Sequence, residues 1–305
     1  MTETGSMMPL NVKPGPSSVP SAPVAVVMIT LNEGHNLDGV LQNLRGWAQE
    51  VFVVDSYSAD DTVDVALRYG AHVVQHAFKG FGDQWNFALR ELPITSPWTM
   101  KLDPDERLTD ELKHSLIQAM NRGEADGYTM NRRLWFMGRP LPVRHELLRV
   151  WKSGACKFSD VLVNEHPFVE GHLQHVEGDI EHHDSPDLHH WLEKQNAYTT
   201  TEAIAVHQGQ ALSVTPRIFG SALQRRMWIK QNYRRFPGRY LVLFLHHYLA
   251  QGAWRAGWVG YAWARLRSDV YRLWEYKLRE IRITGRIPRK GPKGPGQPDP
   301  RVAQY

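Results

Sequence analysis

Through the first hundred residues, blocks of consecutive apolar positions alternate with stretches in which apolar positions recur every three or four residues. Val24-Ala25-Val26-Val27-Met28-Ile29-Thr30 is a continuous apolar run, the form a strand takes when both of its faces are covered. Over 36–47, Leu37, Val40, Leu41 and Leu44 fall on one helical face. A second strand reads over Glu50 to Asp55, and a helix over Asp60 to Tyr69, opened by two aspartates and closed by Gly70. A third strand over 71–75, a helix over 82–92, a fourth strand over 98–103 and a helical run over 109–120 continue the alternation. That pattern predicts an α/β fold, a mostly parallel sheet with helices on both faces. Ligands of such sheets bind beyond the carboxyl ends of the strands. From Gly127 to about Gln174 the pattern turns β-like and mixed.

The predicted strand ends are polar at every turn. Strand one ends in Thr30-Leu31-Asn32-Glu33, strand two in Asp55-Ser56-Tyr57-Ser58, and strand four in Leu102-Asp103-Pro104-Asp105-Glu106. A strand ending in Asp-x-Asp places two carboxylates on one side of a sheet edge. Such a pair suits a hard divalent cation, Mg²⁺ or Mn²⁺, able to bridge a nucleotide's diphosphate. The competing reading is a solvated acidic helix start, and Asn32 or Asp55 alone is ordinary turn chemistry. Three polar ends converging on one edge favour a site.

At 305 residues the chain suits one large domain or a domain with an appendage. Its single cysteine, Cys156, excludes a disulfide framework and a cysteine zinc site, so a reducing compartment and a small buried residue are expected. Residues 1–22 are rich in Pro, Ser and Gly and lack the basic start and apolar centre of a signal peptide; a disordered leader is expected. The net charge of +4 hides a division: from Pro216 to Tyr305 there are 19 Lys+Arg against 4 Asp+Glu, and before that 17 against 28. A back half of that sign calls for an anionic partner. There, arginines interleave with Trp228, Tyr240, Phe244, Trp254 and Trp258 around an apolar centre at 241–245. No uninterrupted apolar stretch is long enough to span a bilayer. Interfacial helices on an anionic membrane fit better, the alternative being aromatics packed on the front domain beneath a solvated basic face. A Pro/Gly/Lys-rich tail follows, also expected to be disordered.

Four motifs together, I-T-L-N-E (29–33), V-V-D-S-x-S-x-D-x-T (53–62), G-F-G-x-Q-x-N-x-A (80–88) and L-D-P-D-E (102–106), resemble family 2 glycosyltransferases over roughly residues 23 to 205, most nearly the lipopolysaccharide-core β-1,4-glucosyltransferase type. The resemblance implies a GT-A fold, inversion at the anomeric carbon, a nucleotide-diphospho-sugar donor and a divalent cation. Thr30, Asn32 and Glu33 would line the nucleoside pocket, Asp55 would bond the base, and Gln84 and Asn86 would flank it. Asp103 and Asp105 would meet the metal and the ribose-diphosphate; Pro104 stands where the family often has Ala, which stiffens the turn and spares both carboxylates. Glu165, in Val163-Asn164-Glu165-His166, matches the position of the acidic base, although Asn164 replaces the usual His. His182 or His183 is a candidate for the later metal-bound His, and Lys101 would offset diphosphate charge. The implied organisation is a leader (1–22), a GT-A domain (23–215), a basic aromatic helical region on the membrane (216–285) and a tail (286–305), acting at the cytoplasmic face of the inner membrane on a glycan or lipid-linked acceptor.

Two other classes remain open. A nucleotidyltransferase also uses paired carboxylates, metal and nucleotide, but would carry a Gly-rich basic loop after strand one, where this chain has Glu33. A non-enzymatic anionic-lipid or nucleic-acid binder would account for the basic aromatic region but for none of the four front motifs.

Overall fold

In the computed structural model, residues 20–158, 166–208, 217–219, 224–225, 228, 232 and 236–288 are described. The sheet is laid around β1 (Ala22–Thr30), which pairs in parallel with β2 (Ala48–Asp55) on one side and β4 (Trp98–Lys101) on the other. Beyond β2 lies β3 (His72–Gln75), again parallel. Past β4 come β7 (Arg139–Lys152) and β6 (Gly127–Phe136), an antiparallel hairpin. Next is β10 (Leu173–His182), parallel to β6, with β5 (Glu106–Leu108) antiparallel at the edge. The resulting order is β3-β2-β1-β4-β7-β6-β10-β5. A separate two-stranded ribbon joins β8 (Cys156–Phe158) to β9 (Pro167–Val169). This mostly parallel sheet flanked by helices is the architecture expected of a GT-A fold.

The continuous apolar run of β1 is explained by its two covered faces. Val24, Val26 and Met28 enter one core with α1 (Gly34–Leu44) and α4 (Asp110–Arg122), which brings in Leu37, Leu41, Leu112 and Leu116. Ala25 and Val27 enter a second core with α3 (Phe81–Glu91), through Trp85 and Ala88, and with Trp151 and Phe158. Alternate side chains of a strand point to opposite faces, so one apolar run supplies both layers. The helices begin and end where local chemistry dictates. Thr109 caps α4, its hydroxyl accepting from Leu112 N at 3.3 Å, and Gly123 closes it at φ 67°. The helix expected over 36–47 stops at Leu44: the chain turns through Gly46 at φ 74°, and Trp47 is buried as an anchor ahead of β2. Between α1 and β3 lies the short α2 (Thr62–Arg68).

After β10, α5 (Leu188–His207) begins at Asp187, whose side chain accepts from His190 N at 2.8 Å. It packs along α7 (Gly257–Thr284), where Ala203 and Ile204 meet Trp274, Leu278 and Ile281. Lys277 staples that contact, donating to Asn196 O at 2.6 Å and Thr199 Oγ1 at 2.9 Å. Ahead of α7 run α6 (Arg239–Leu245), a π turn (246–250) and a 3₁₀ turn (253–256). Trp191 of α5, Trp263 of α7 and Ala253 pack on the tip of the β6–β7 hairpin at Phe136, Leu141 and Val143. Part of the aromatic back half is therefore core, and each such large apolar side chain contributes roughly 1.5–3 kcal/mol when buried. Leu241, Val242, Leu249, Trp254 and Tyr261 stay exposed, as does Trp258 at 70%. Among the described residues, no helix is long and apolar enough to cross a membrane. Residues 1–19 of the expected leader and 289–305 of the expected tail lie outside the described residues.

Candidate active site

The carboxyl ends of β1 and β2 are tied together by side chains. Thr30 Oγ1 donates to Asp55 Oδ1 at 3.1 Å, Ser58 donates to Asp55 from both its backbone N (2.9 Å) and its Oγ (2.5 Å), and Gln75 Nε2 adds a bond at 3.2 Å. Asp55 is wholly buried, and each of its carboxylate oxygens accepts two of these bonds. Asn32 sits at φ 56°, a left-handed conformation that Asn tolerates better than most residues. Its backbone N donates to Ser58 Oγ at 2.8 Å, and its Oδ1 accepts from Ala59 N at 2.8 Å. Gln84, also buried, donates to Ser56 Oγ (2.7 Å) and to His76 O (2.9 Å). Asn86 has a different partner: it clamps the backbone of Phe158, with bonds of 3.1 and 3.0 Å.

The Asp-x-Asp segment is not the end of a straight strand. β4 stops at Lys101, and Glu106 N donates to Asp103 O at 3.0 Å, closing a β-turn with Pro104 at its second position, where a φ fixed near −65° is favoured. A turn spreads residues that a strand would have aligned, and the two carboxylates keep different company. Asp103 accepts from Arg149 at 3.0 Å and lies 3.7 Å from Lys101 Nζ. Burial works against its ionisation, but Lys101 and Arg149 hold it well below the usual carboxylate range. Arg149 also donates to the buried Glu106 at 2.5 Å, and Lys101 lies over the Trp85 ring at 4.3 Å.

Asp105 faces the other way, 3.1 Å from His182 Nε2 at the end of β10. Asp184, two residues on, brings its Oδ1 to 3.9 Å from the same nitrogen. Into this group α5 delivers Lys194, with Nζ 2.8 Å from Asp184 Oδ1 and 3.7 Å from Asp105 Oδ2. Burial alone would raise the Asp105 pKa, yet His182 and Lys194 hold its carboxyl far below normal. Asp184 is likewise held down by Lys194 and His182 against the effect of burial. Burial would depress His182, but Asp105 outweighs it and raises the imidazole. The Lys194 ammonium, opposed by burial, is raised well above its usual value by Asp105 and Asp184. Glu33 at the start of α1 is pushed up to about 7 by burial and by the Asp105 charge, although Asn36 bonds its carboxylate at 2.8 Å.

One ligand atom each from Asp105, His182 and Asp184 lies within 4.8 Å of the others. Two carboxylate oxygens and an imidazole nitrogen at that spacing fit a divalent cation, the oxygens suiting Mg²⁺ and Mn²⁺. The His182 Nδ1 is buried without a hydrogen-bond partner among the described residues. Of the residues expected at the site, Asp105 and His182 meet directly. Asp103, Lys101 and Glu33 stand around them; Thr30, Asn32 and Asp55 lie at the neighbouring strand ends, and Gln84 of α3 reaches the second of these through Ser56. His183 stacks on Trp135 at 4.5 Å between ring centres, its pKa lowered by burial and by Arg107. Glu165 lies outside the described residues. Sequence reasoning did not single out Asp184, Lys194, Arg149 or Glu106. A charged residue inside the apolar strand Leu147-Leu148-Arg149-Val150-Trp151 was the available signal for Arg149; Lys194, on a helix six turns long, had none.

Residues 25–174 match the model of the family described as Glycosyl transferase family 2. An uncharacterized glycosyltransferase of Rickettsia prowazekii is 24% identical over 207 residues, which cover 62% of this chain and 70% of that one. LpsC of Rhizobium meliloti, a lipopolysaccharide core biosynthesis glycosyltransferase, is 25% identical over 256 residues, 80% of this chain and 87% of its own. Among solved structures, glucosyl-3-phosphoglycerate synthase of Mycobacterium tuberculosis, in complex with Mn²⁺, uridine diphosphate and glucosyl-3-phosphoglycerate, is 22% identical with a TM-score of 0.31. That match covers 39% of this chain and spans under half of the other, 45%.

Proposed function

Because residues 25–174 form a family 2 glycosyl transferase domain, we propose that this glycosyltransferase is an inverting enzyme that moves a sugar from a nucleotide-diphospho-sugar to a glycan or lipid-linked acceptor. The pathway proposed is synthesis of lipopolysaccharide core or another cell-envelope polysaccharide, a reading supported by the likeness to LpsC along most of both chains. The observation that carries the mechanism is the meeting of Asp105, His182 and Asp184 beside the polar ends of β1 and β2. A divalent cation held by those three would neutralise charge developing on the departing nucleoside diphosphate.

The protein's own groups have separable tasks. Thr30, Asn32, Glu33, Asp55 and Gln84 shape the nucleoside side, while Lys101 and Arg149 fix Asp103 beside the donor. In a single displacement the acceptor oxygen bonds to the anomeric carbon as the carbon's bond to the diphosphate oxygen breaks. The acceptor's proton passes to a base, for which Glu165 is the proposed residue. The basic back half is proposed to hold the enzyme on the anionic cytoplasmic face of the membrane, where a lipid-linked acceptor is met.

An Asp105→Ala variant should lose metal-dependent release of nucleoside diphosphate from a nucleotide sugar while its circular dichroism stays unchanged. Full activity would end the site assignment. Release of pyrophosphate from a nucleoside triphosphate supplied with a sugar 1-phosphate, with no turnover of a nucleotide sugar alone, would favour the nucleotidyltransferase reading. In the same assay Glu165→Gln should bind donor normally and lose transfer by about 10² or more; undiminished transfer would remove Glu165 as the base.

A further inference from the structure

Lys194 lies where a divalent cation would have to act. The two carboxylate oxygens that face His182 Nε2, Asp105 Oδ2 and Asp184 Oδ1, are the same two that face Lys194 Nζ, at 3.7 and 2.8 Å. Lys194 also donates to Asp184 O at 3.2 Å, and its side chain is only 17% exposed. A hard divalent cation takes carboxylate oxygens at roughly 2.0–2.6 Å. An ammonium 2.8 Å from the Asp184 oxygen and 3.7 Å from the Asp105 oxygen competes with it by charge and by space. Two carboxylates and a histidine held this close need a positive charge whether or not metal is present, since like charges at this range repel by kilocalories at a protein's effective dielectric.

We infer that Lys194 is an internal counter-cation: it holds Asp105 and Asp184 together in the metal-free protein and turns to the diphosphate of the nucleotide donor when a divalent ion takes those oxygens. The inference rests on the metal reading proposed above and adds a phosphate-binding residue from outside the matched domain. The architecture suits an exchange of partners. The backbone of α5 is anchored by the Asp187 cap before Lys194 and by the Lys277 staple at 196–200 after it. Only the four-methylene side chain has to move, and a lysine head is a compact charge on a flexible stem. A diphosphate bridged to metal at Asp105 and Asp184 would present its oxygens to the displaced ammonium, so the charge released by one partner meets the charge brought by the next.

The test is calorimetric titration of the full chain, wild type and Lys194→Met, first with MnCl₂ alone and then, at saturating Mn²⁺, with methylenediphosphonate as a base-free diphosphate. Loss of the competing ammonium should tighten Mn²⁺ binding about tenfold or more and weaken diphosphonate binding by a similar factor. Lys194→Arg, which keeps the charge, should leave Mn²⁺ binding near the wild-type value. Unchanged Mn²⁺ affinity in a folded Lys194→Met protein overturns the inference while leaving the metal site standing, and marks Lys194 as a fixed salt-bridge partner. Failure of wild type and variant alike to bind Mn²⁺ overturns both readings. Should Lys194→Met not fold, Lys194→Gln, which can still donate to Asp184, carries the same expectations.

Discussion

Arg149 shows how much one side chain can decide. Buried at the middle of the sheet, it bonds Asp103 and Glu106 together, and Glu106 has no exposed surface. Removing one partner from a buried ion pair strands the other charge and costs about 3–5 kcal/mol. Arg149→Met should therefore lower stability by that order in chemical denaturation, and Glu106→Gln added to it should recover part of the loss. A single variant as stable as wild type would show that Glu106 is already neutral in the fold. Asp103 and Asp105, two positions apart, illustrate the same dependence on surroundings: the turn at Pro104 gives the first to Arg149 and the second to His182. That Asp-x-Asp would sit at a sheet edge was legible in the chain. That its two carboxylates would divide was not, because the division depends on which distant cations each one meets.

At the scale of elements, the strand–helix alternation of the front half was legible because each element's periodicity and its caps lie within a dozen residues. Boundaries moved by a few residues, at Trp47 because it is buried ahead of β2 and after Lys101 because the chain turns at Pro104. The back half was less legible, since its aromatics divide between burial and exposure by packing alone. Its π turn contains the buried His247, which bonds Gln251 at 2.8 Å and lies among Arg267, His246 and His145. Burial, with the Arg267 charge, lowers its pKa from 6.5 to about 4 against the pull of the Gln251 hydrogen bond. The unfolded chain therefore takes up the proton more readily than the fold between those values, and the stabilisation is complete above about pH 6.5 and lost as pH falls toward 4. The denaturation midpoint should drop on acidification from pH 7 to 5, and His247→Gln should flatten that slope. An unaltered slope in the variant would assign the acid sensitivity elsewhere.

For the molecule as a whole, charge and exposed apolar surface fall in the same region. No Asp or Glu occurs from Ala203 to Ser268, a span containing ten Lys+Arg, and within it Trp254, Trp258 and Tyr261 are exposed. Aromatic side chains at headgroup depth with arginines toward anionic lipid are the expected form of an interfacial segment. The full chain should sediment with vesicles containing a third phosphatidylglycerol and not with pure phosphatidylcholine, and rising salt should release it as surface charge is screened. Failure to bind anionic vesicles at low salt would leave the basic region as a solvated face.

By itself, the sequence determined the α/β class, the polar strand ends and the acidic segment at 103–105. All of these are written in local patterns: periodicity, turn chemistry and the spacing of residues a few positions apart. Only the tertiary structure decided that Asp105 would meet His182 across 77 positions of chain, that Asp184 would join them, and that α5 would send Lys194 into their midst. Those meetings depend on the register of β10 against β5 and β6 and on the docking of α5 along α7. Such long-range packing is fixed by burial and shape over the whole fold, and no local pattern in the chain records it.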